Sequence, residues 1–255
     1  MIGGRALSGV ATAVLLTATA CAGAPSGERV GELRVCAEKS FGSSAGECRR
    51  DERGEVLASP DVYCSIEFVH HNDEHFAVQM YFEGELVSSG EGAIERDSGS
   101  LWVGAGTSND AYLPAGRWEC RLAITDESLS ASFRTGGKTG AAPLTQAACL
   151  TSEAGEGKCL TEAEASSFQH PRSVTCSSLI VGLAGRQVRI SVLRDTQEIA
   201  SYTTPVSQMN VQTAYGTIDP EVLEVNLAAL PPGEYACRFA VGDTPSWDVS
   251  FTVTG

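Results

Sequence analysis

Residues 70–75 read HHNDEH, placing His70, His71, Asp73, Glu74 and His75 within six positions. Imidazoles and carboxylates this close have the donor chemistry for zinc or copper. Yet three histidines so nearly adjacent match no zinc-binding spacing. The stretch at the same place in the second half of the chain, GLAGRQ at 182–187, carries no ligand. The segment therefore reads as a polar turn, with metal binding as the chemical alternative, and no metal or cofactor is expected.

Two further features invite a chemical reading. Residues 42–46, GSSAG, fit G-x-S-x-G. As a nucleophile motif it needs a strand, a sharp turn and a helix to lift its serine above a sheet. Here it lies between Cys36 and Cys48, with little chain before it to build that sheet, so the match is coincidental and no catalytic residue is expected. The other lone histidine, His170, precedes Pro171 and reads as surface. The cysteines number nine, at 21, 36, 48, 64, 120, 149, 159, 176 and 237. Cys21 stands apart, and the rest fall into two sets of four with separations of 12, 16 and 56 and of 10, 17 and 61.

Those two sets belong to an internal repeat. Residues 113–124 read LPAGRWECRLAI and residues 230–241 read LPPGEYACRFAV, with six of twelve positions identical. Each is a proline-glycine turn running into a strand with period-two alternation. Trp118, Cys120, Leu122 and Ile124 share one face, as do Tyr235, Cys237, Phe239 and Val241. The match extends to Phe76 and Val188, each twelve residues after a cysteine, and to SLSASFRTGG at 128–137 against SWDVSFTVTG at 246–255. The boundary falls near 135–143, a Gly/Lys/Ala/Pro stretch with linker composition.

Both copies read as short strands without helical periodicity. The first has strands near 32–37, 62–69, 75–82, 85–89, 100–104, 117–124 and 129–134, with a tight hairpin at Glu83-Gly84. The second has strands near 173–181, 187–193, 198–203, 208–214, 222–228, 234–241 and 247–254. Trp118 and Trp247 read as core, and so does Trp102, which has no evident counterpart in copy two. Arg121 and Arg238 point away from the cysteine face, so a shared cross-strand ion pair is expected.

Seven strands in about 100 residues is a β-sandwich pattern, and the placing of Cys64 and Cys120 resembles an immunoglobulin-like domain. The fold class is therefore all-β: two tandem immunoglobulin-like sandwiches, residues 28–136 and 141–255, after an N-terminal signal peptide over 1–20. The resemblance implies inter-sheet disulfides Cys64–Cys120 and Cys176–Cys237, leaving Cys36–Cys48 and Cys149–Cys159. Spacing alone permits three connectivities per copy. It also puts Tyr235 at the tyrosine-corner position, two residues before a cysteine. Trp118 stands there in copy one without a hydroxyl, so a corner hydrogen bond is expected in the second copy alone.

A single Arg and a run of about fifteen mostly apolar residues open the chain, a secretory pattern too short to span a bilayer. The run ends Ala18-Thr19-Ala20-Cys21, which resembles the lipobox of bacterial lipoproteins, with Ala18 where that family usually has a larger aliphatic residue. It implies lipidation of Cys21, which also accounts for the odd cysteine. Ala18-Thr19-Ala20 equally fits a plain A-x-A cleavage site.

The formal net charge is −14 for 18 basic and 32 acidic residues. Acidity in both halves argues against nucleic acid and anionic lipid headgroups as partners, since both demand a basic footprint. The expected function is that of an envelope-anchored, non-enzymatic bacterial lipoprotein. It would be secreted across the cytoplasmic membrane, held at the outer membrane or cell surface through Cys21, and act as an interaction or structural module. Its expected partner is an envelope or extracellular protein or glycan. The alternative is a secreted hydrolase, metal-binding protein or enzyme inhibitor with its site on loops of the first domain.

Overall fold

The computed structural model describes residues 29–124, 127–137, 140–155, 158–159, 165–223 and 227–255. The signal segment and Cys21 lie outside the described residues. The chain divides between residues 139 and 140 into two compact units.

Unit one contains β1 (Arg29–Val30), β2 (Arg34–Ala37), β3 (Phe41–Gly42), β4 (Glu47–Cys48), β5 (Val56–Leu57), β6 (Asp61–Val69), β7 (His75–Phe82), β8 (Glu85–Ala93), β9 (Ser98–Gly106), β10 (Gly116–Ile124) and β11 (Glu127–Thr135). One sheet flanks β6 with β1 and β2 on one edge and β9 on the other. The facing sheet runs β5-β11-β10-β7-β8, and β5 joins β11 in parallel. The 36–48 excursion folds back as the two-stranded β3-β4 hairpin.

Unit two repeats the plan with β12 (Ala142–Leu150), β13 (Ser167–Gln169), β14 (Val174–Val181), β15 (Arg189–Arg194), β16 (Gln197–Thr203), β17 (Val211–Ile218), β18 (Gly233–Ala240) and β19 (Trp247–Thr254). Its sheets are β12-β14-β17 and β13-β19-β18-β15-β16, and β13 joins β19 in parallel as β5 joins β11. Each unit is thus an immunoglobulin-like sandwich, its alternating apolar residues packed between two sheets.

Disulfides join Cys64 on β6 to Cys120 on β10, and Cys176 on β14 to Cys237 on β18, one across each pair of sheets. Cys36–Cys48 and Cys149–Cys159 instead pin each excursion to the outer face of the first sheet. Below each staple lies a buried serine. Cys48 N–H donates to Ser65 Oγ at 2.7 Å, and Cys159 N–H to Ser177 Oγ at 3.1 Å. Glu52, 2 % exposed, secures the first excursion by accepting from Ala37 N–H at 2.9 Å and the Ser40 hydroxyl at 2.8 Å. Burial opposes its charge, but those donors and the Arg50 and Lys39 charges hold the carboxyl below its ordinary value.

The repeat reaches individual bonds. The β7-β8 and β15-β16 hairpins each turn on two residues at positive φ: Glu83 and Gly84 at 50° and 85°, Asp195 and Thr196 at 49° and 73°. This is the geometry that a two-residue I′ loop requires. Both hairpins bulge at matching places, Met80/Tyr81 and Val192/Leu193. Tyr235 hydroxyl donates to Pro231 O at 2.9 Å. Trp118 reaches the equivalent carbonyl by relay: its Nε1 donates to Thr135 Oγ1 at 2.9 Å, and that hydroxyl donates to Pro114 O. The first unit therefore keeps the corner bond, with Thr135 supplying the oxygen that Trp118 lacks.

That relay corrects the expectation of a corner bond in the second copy alone; two more expectations change, and one strand is new. No strand covers the described part of 222–228: residues 221–223 form a turn, and 224–226 lie outside the described residues. A proline at 220 and an Asp219 carboxylate accepting from Val222 N–H favour the turn there. β12 carries no sequence expectation, because its alanines lack the β-branched signal of a strand. The paired arginines diverge. Arg238 forks onto Asp248 across the β18-β19 pair, with two bonds of 2.8 Å. Arg121 bonds Glu119 on its own strand at 2.8 Å and lies over the Tyr81 ring at 4.5 Å.

Candidate functional site

The HHNDEH segment joins β6 to β7, and its side chains part company. His70 Nδ1 lies 3.0 Å from Asp97 Oδ1, and His71 Nδ1 lies 3.1 Å from Glu74 Oε2. His71 is buried, whereas His75 opens β7 exposed. Among the described residues no three His, Cys, Asp or Glu side chains gather as a metal site. The main chain explains what the loop does. Asp73 N–H donates to Ile94 O and Ile94 N–H to Glu74 O, each at 2.8 Å, tying the loop to the 94–97 crossover between β8 and β9.

Ser44 of GSSAG sits in the β3-β4 turn, where Ala45 N–H and Gly46 N–H both donate to Gly42 O and the chain continues into a strand. Trp102 is half-buried on the outer face of β9 rather than in the core. Tyr63 stacks on Phe41 with ring centroids 4.0 Å apart, and Trp102 meets both edgewise at 5.4 and 5.9 Å. This cluster docks the stapled excursion onto the sheet. Trp102 also has a register counterpart. It pairs with Ser65 as Tyr215 pairs with Ser177.

The two units differ most at the side where β8 and β9, or β16 and β17, run as neighbouring sheet edges. In unit one large side chains fill the core under that edge, and the hollow beside it, of about 540 Å³ against Phe76, Glu91, Gly92 and Ala93, carries charge at Glu91. Phe76, Leu101 and Ile94 are 7 %, 1 % and 0 % exposed there. Strand register maps Leu101, opposite Ile66, onto Ala214, opposite Ser178. Phe76 maps onto Val188 by its distance from the cysteine. Counting on from the matched bulges brings Ile94 to Val206. Two large side chains have thus become small. The third has turned outward, since Val206 is 48 % exposed. The crossover has lengthened from 94–97 to 204–210.

The result is an open cleft of about 460 Å³, within the usual ligand-pocket range of about 300–1,000 Å³. Leu183, Val188 and Ala214 form its floor, and none of its eleven lining residues carries a charge. The crossover is braced from behind: Gly185 N–H donates to Ser207 O and Ser207 N–H to Arg186 O. Tyr202 closes one wall, its hydroxyl donating to Tyr215 O at 2.6 Å. That hydroxyl stands where a side chain on Gly216 would, since a Cβ there would meet it at 2.3 Å. Burial, and then the neighbouring Tyr215, push it up to about 12, so it stays a protonated donor. Of the eight large hydrophobic residues exposed among the described residues, four ring this edge: Tyr202, Val206, Met209 and Tyr215. Exposed apolar residues clustered around a cleft mark a binding surface rather than random scatter.

Side-chain volume betrays this site in the sequence. Phe76 against Val188 is visible from cysteine spacing. Leu101 against Ala214 is hidden, because it needs the β6-β9 and β14-β17 registers.

No protein-family model and no curated protein matches the chain. Among solved structures it is similar to Bifidobacterium dentium β-glucuronidase complexed with coumarin-3-O-glucuronide, at 14 % identity over 91 % of this chain and 48 % of that one, with TM-score 0.27. The chain thus spans about half of that enzyme. A chimeric titin Z1Z2-Z1Z2 tandem matches at 14 % identity over 78 % of this chain and 92 % of its own, with TM-score 0.22. The N-terminal four Ig domains of Dscam1 match at 14 % identity over 71 % and 37 %, with TM-score 0.23. Scores this low add nothing to what the sheets themselves display.

Proposed function

We propose that the protein is an envelope-anchored, non-enzymatic lipoprotein that recognises its partner through the open edge of unit two. The observation that carries the reading is the uncharged cleft between β16 and β17, which reaches down to Val188 and Ala214 where unit one fills the same place with Phe76 and Leu101. Four disulfides support an extracytoplasmic site of action, because such bridges persist in oxidising compartments. The secretory run and the lipobox-like Cys21 support the anchor.

A photo-reactive residue at Met209, exposed on the crossover beside the cleft, should crosslink an envelope component. The same group at Val56, 64 % exposed in unit one, should not. Equal crosslinking from both positions would remove unit two as the recognition element. Acyl labelling should follow Cys21: Cys21→Ala should lose the label and leave the membrane fraction.

A further inference from the structure

We infer that the unit-two cleft takes an uncharged, mainly apolar small molecule, a neutral lipid-like compound, seated between the β16 and β17 edges. This deepens the proposed recognition at the same site and rests on it. The chemistry of the walls selects the ligand. The floor is aliphatic and continuous with the buried core, where Leu183, Val188 and Ala214 are 1 %, 2 % and 5 % exposed. An apolar group entering it gains about 25 cal/mol for each Å² removed from water. An ionised ligand would lose hydration and find no charged partner, because no lining residue carries one. An anion would also approach a chain of net charge −14.

Polar groups gather at the mouth instead. Ser207 Oγ lies 2.8 Å from both Gln212 Oε1 and Met209 O, which sets a hydroxyl and a carboxamide side by side at the rim. Thr203 and Thr213 line the same opening. A hydroxyl or ester on an otherwise apolar ligand meets these groups, while the Tyr202–Tyr215 bond holds the wall in place. An extended peptide strand fits less well. Tyr202 already occupies the Tyr215 carbonyl that an added strand could use.

The probe is N-phenyl-1-naphthylamine, a neutral dye that brightens on leaving water, titrated onto the full mature chain. One saturable site per chain is expected. Val188→Phe and Ala214→Leu each restore the side chain that unit one carries at that place, and either should weaken the dye at least tenfold. Near-UV circular dichroism confirms that each variant is folded, and one folded variant suffices. A neutral monoacylglycerol should displace the dye at least tenfold more effectively than the matching fatty-acid anion. The assignment is overturned by the absence of a saturable site, by unchanged binding in a folded, filled variant, or by equal displacement by the anion. A chain that takes no dye yet still crosslinks through Met209 overturns the ligand class alone and leaves the unit-two reading standing.

Discussion

At the residue scale, the corner bonds show one interaction built from two sets of side chains. Tyr235 reaches Pro231 O directly, while Trp118 reaches Pro114 O through Thr135. Val253 occupies the position equivalent to Thr135, and the two side chains have nearly the same shape. Thr135→Val should therefore orphan both the indole N–H and the carbonyl, costing about 1–3 kcal/mol in denaturant unfolding. Val253→Thr removes no bond at its corner and lacks this mechanism of loss. Equal losses would refute the relay. Asp61 offers a pH test. It is 9 % exposed and lies across Gly106, and burial, then Glu38 and Asp110, raise its carboxyl from 3.8 to about 6. The native state then binds this proton more tightly than the unfolded chain. Its contribution falls as pH rises from about 4 to about 6, and is flat on either side. Asp61→Asn should flatten that window and raise stability at pH 7 by up to about 3 kcal/mol, at about 1.4 kcal/mol per tenfold change in proton affinity. A parallel pH profile for the variant would contradict the assignment.

At the element scale, the hairpins separate what turn chemistry demands from what the fold imposes. Glu83-Gly84 places glycine at the second positive-φ position, whereas Thr196 holds φ 73° with a β-branched side chain. Such strain costs roughly 1–3 kcal/mol. Thr196→Gly should relieve it and raise the unfolding midpoint of unit two, less the backbone entropy that glycine adds. A lower midpoint would show that the loop is not strained. This contrast also marks what was legible in sequence. The Glu-Gly turn, the alternating strands and the cysteine pattern signal themselves locally. The Asp195-Thr196 turn does not, because the strands on either side, not its own residues, enforce its geometry. β12 was hidden for a related reason: pairing with β14 makes it a strand, against the preference of its alanines. Trp102 was misplaced because alternation gives the face of a strand but not what covers that face. Here the cover is a disulfide-stapled excursion bearing Phe41.

At the scale of the whole molecule, a duplicated sandwich has kept its staples, bulges and corners and has diverged at one edge. The residues with the most conspicuous chemistry, HHNDEH, turn out to hold Ile94 in place beside that edge in unit one. The candidate site lies opposite in kind, in the bland GLAGRQ unit, where small residues leave space. Rare polar residues signal themselves in a sequence and missing volume does not, so the cleft is written only in the paired registers of the two units. The central claim is that recognition belongs to this cleft. The direct measurement is crosslinking of an envelope component from the photo-reactive residue at Met209, compared for the otherwise wild-type chain, folded Ala214→Leu and the His70/His71/His75→Ala variant. Crosslinking should fall at least tenfold for Ala214→Leu and stay at the wild-type level for the histidine variant. Crosslinking unchanged by Ala214→Leu, or lost with the histidines, would contradict the account.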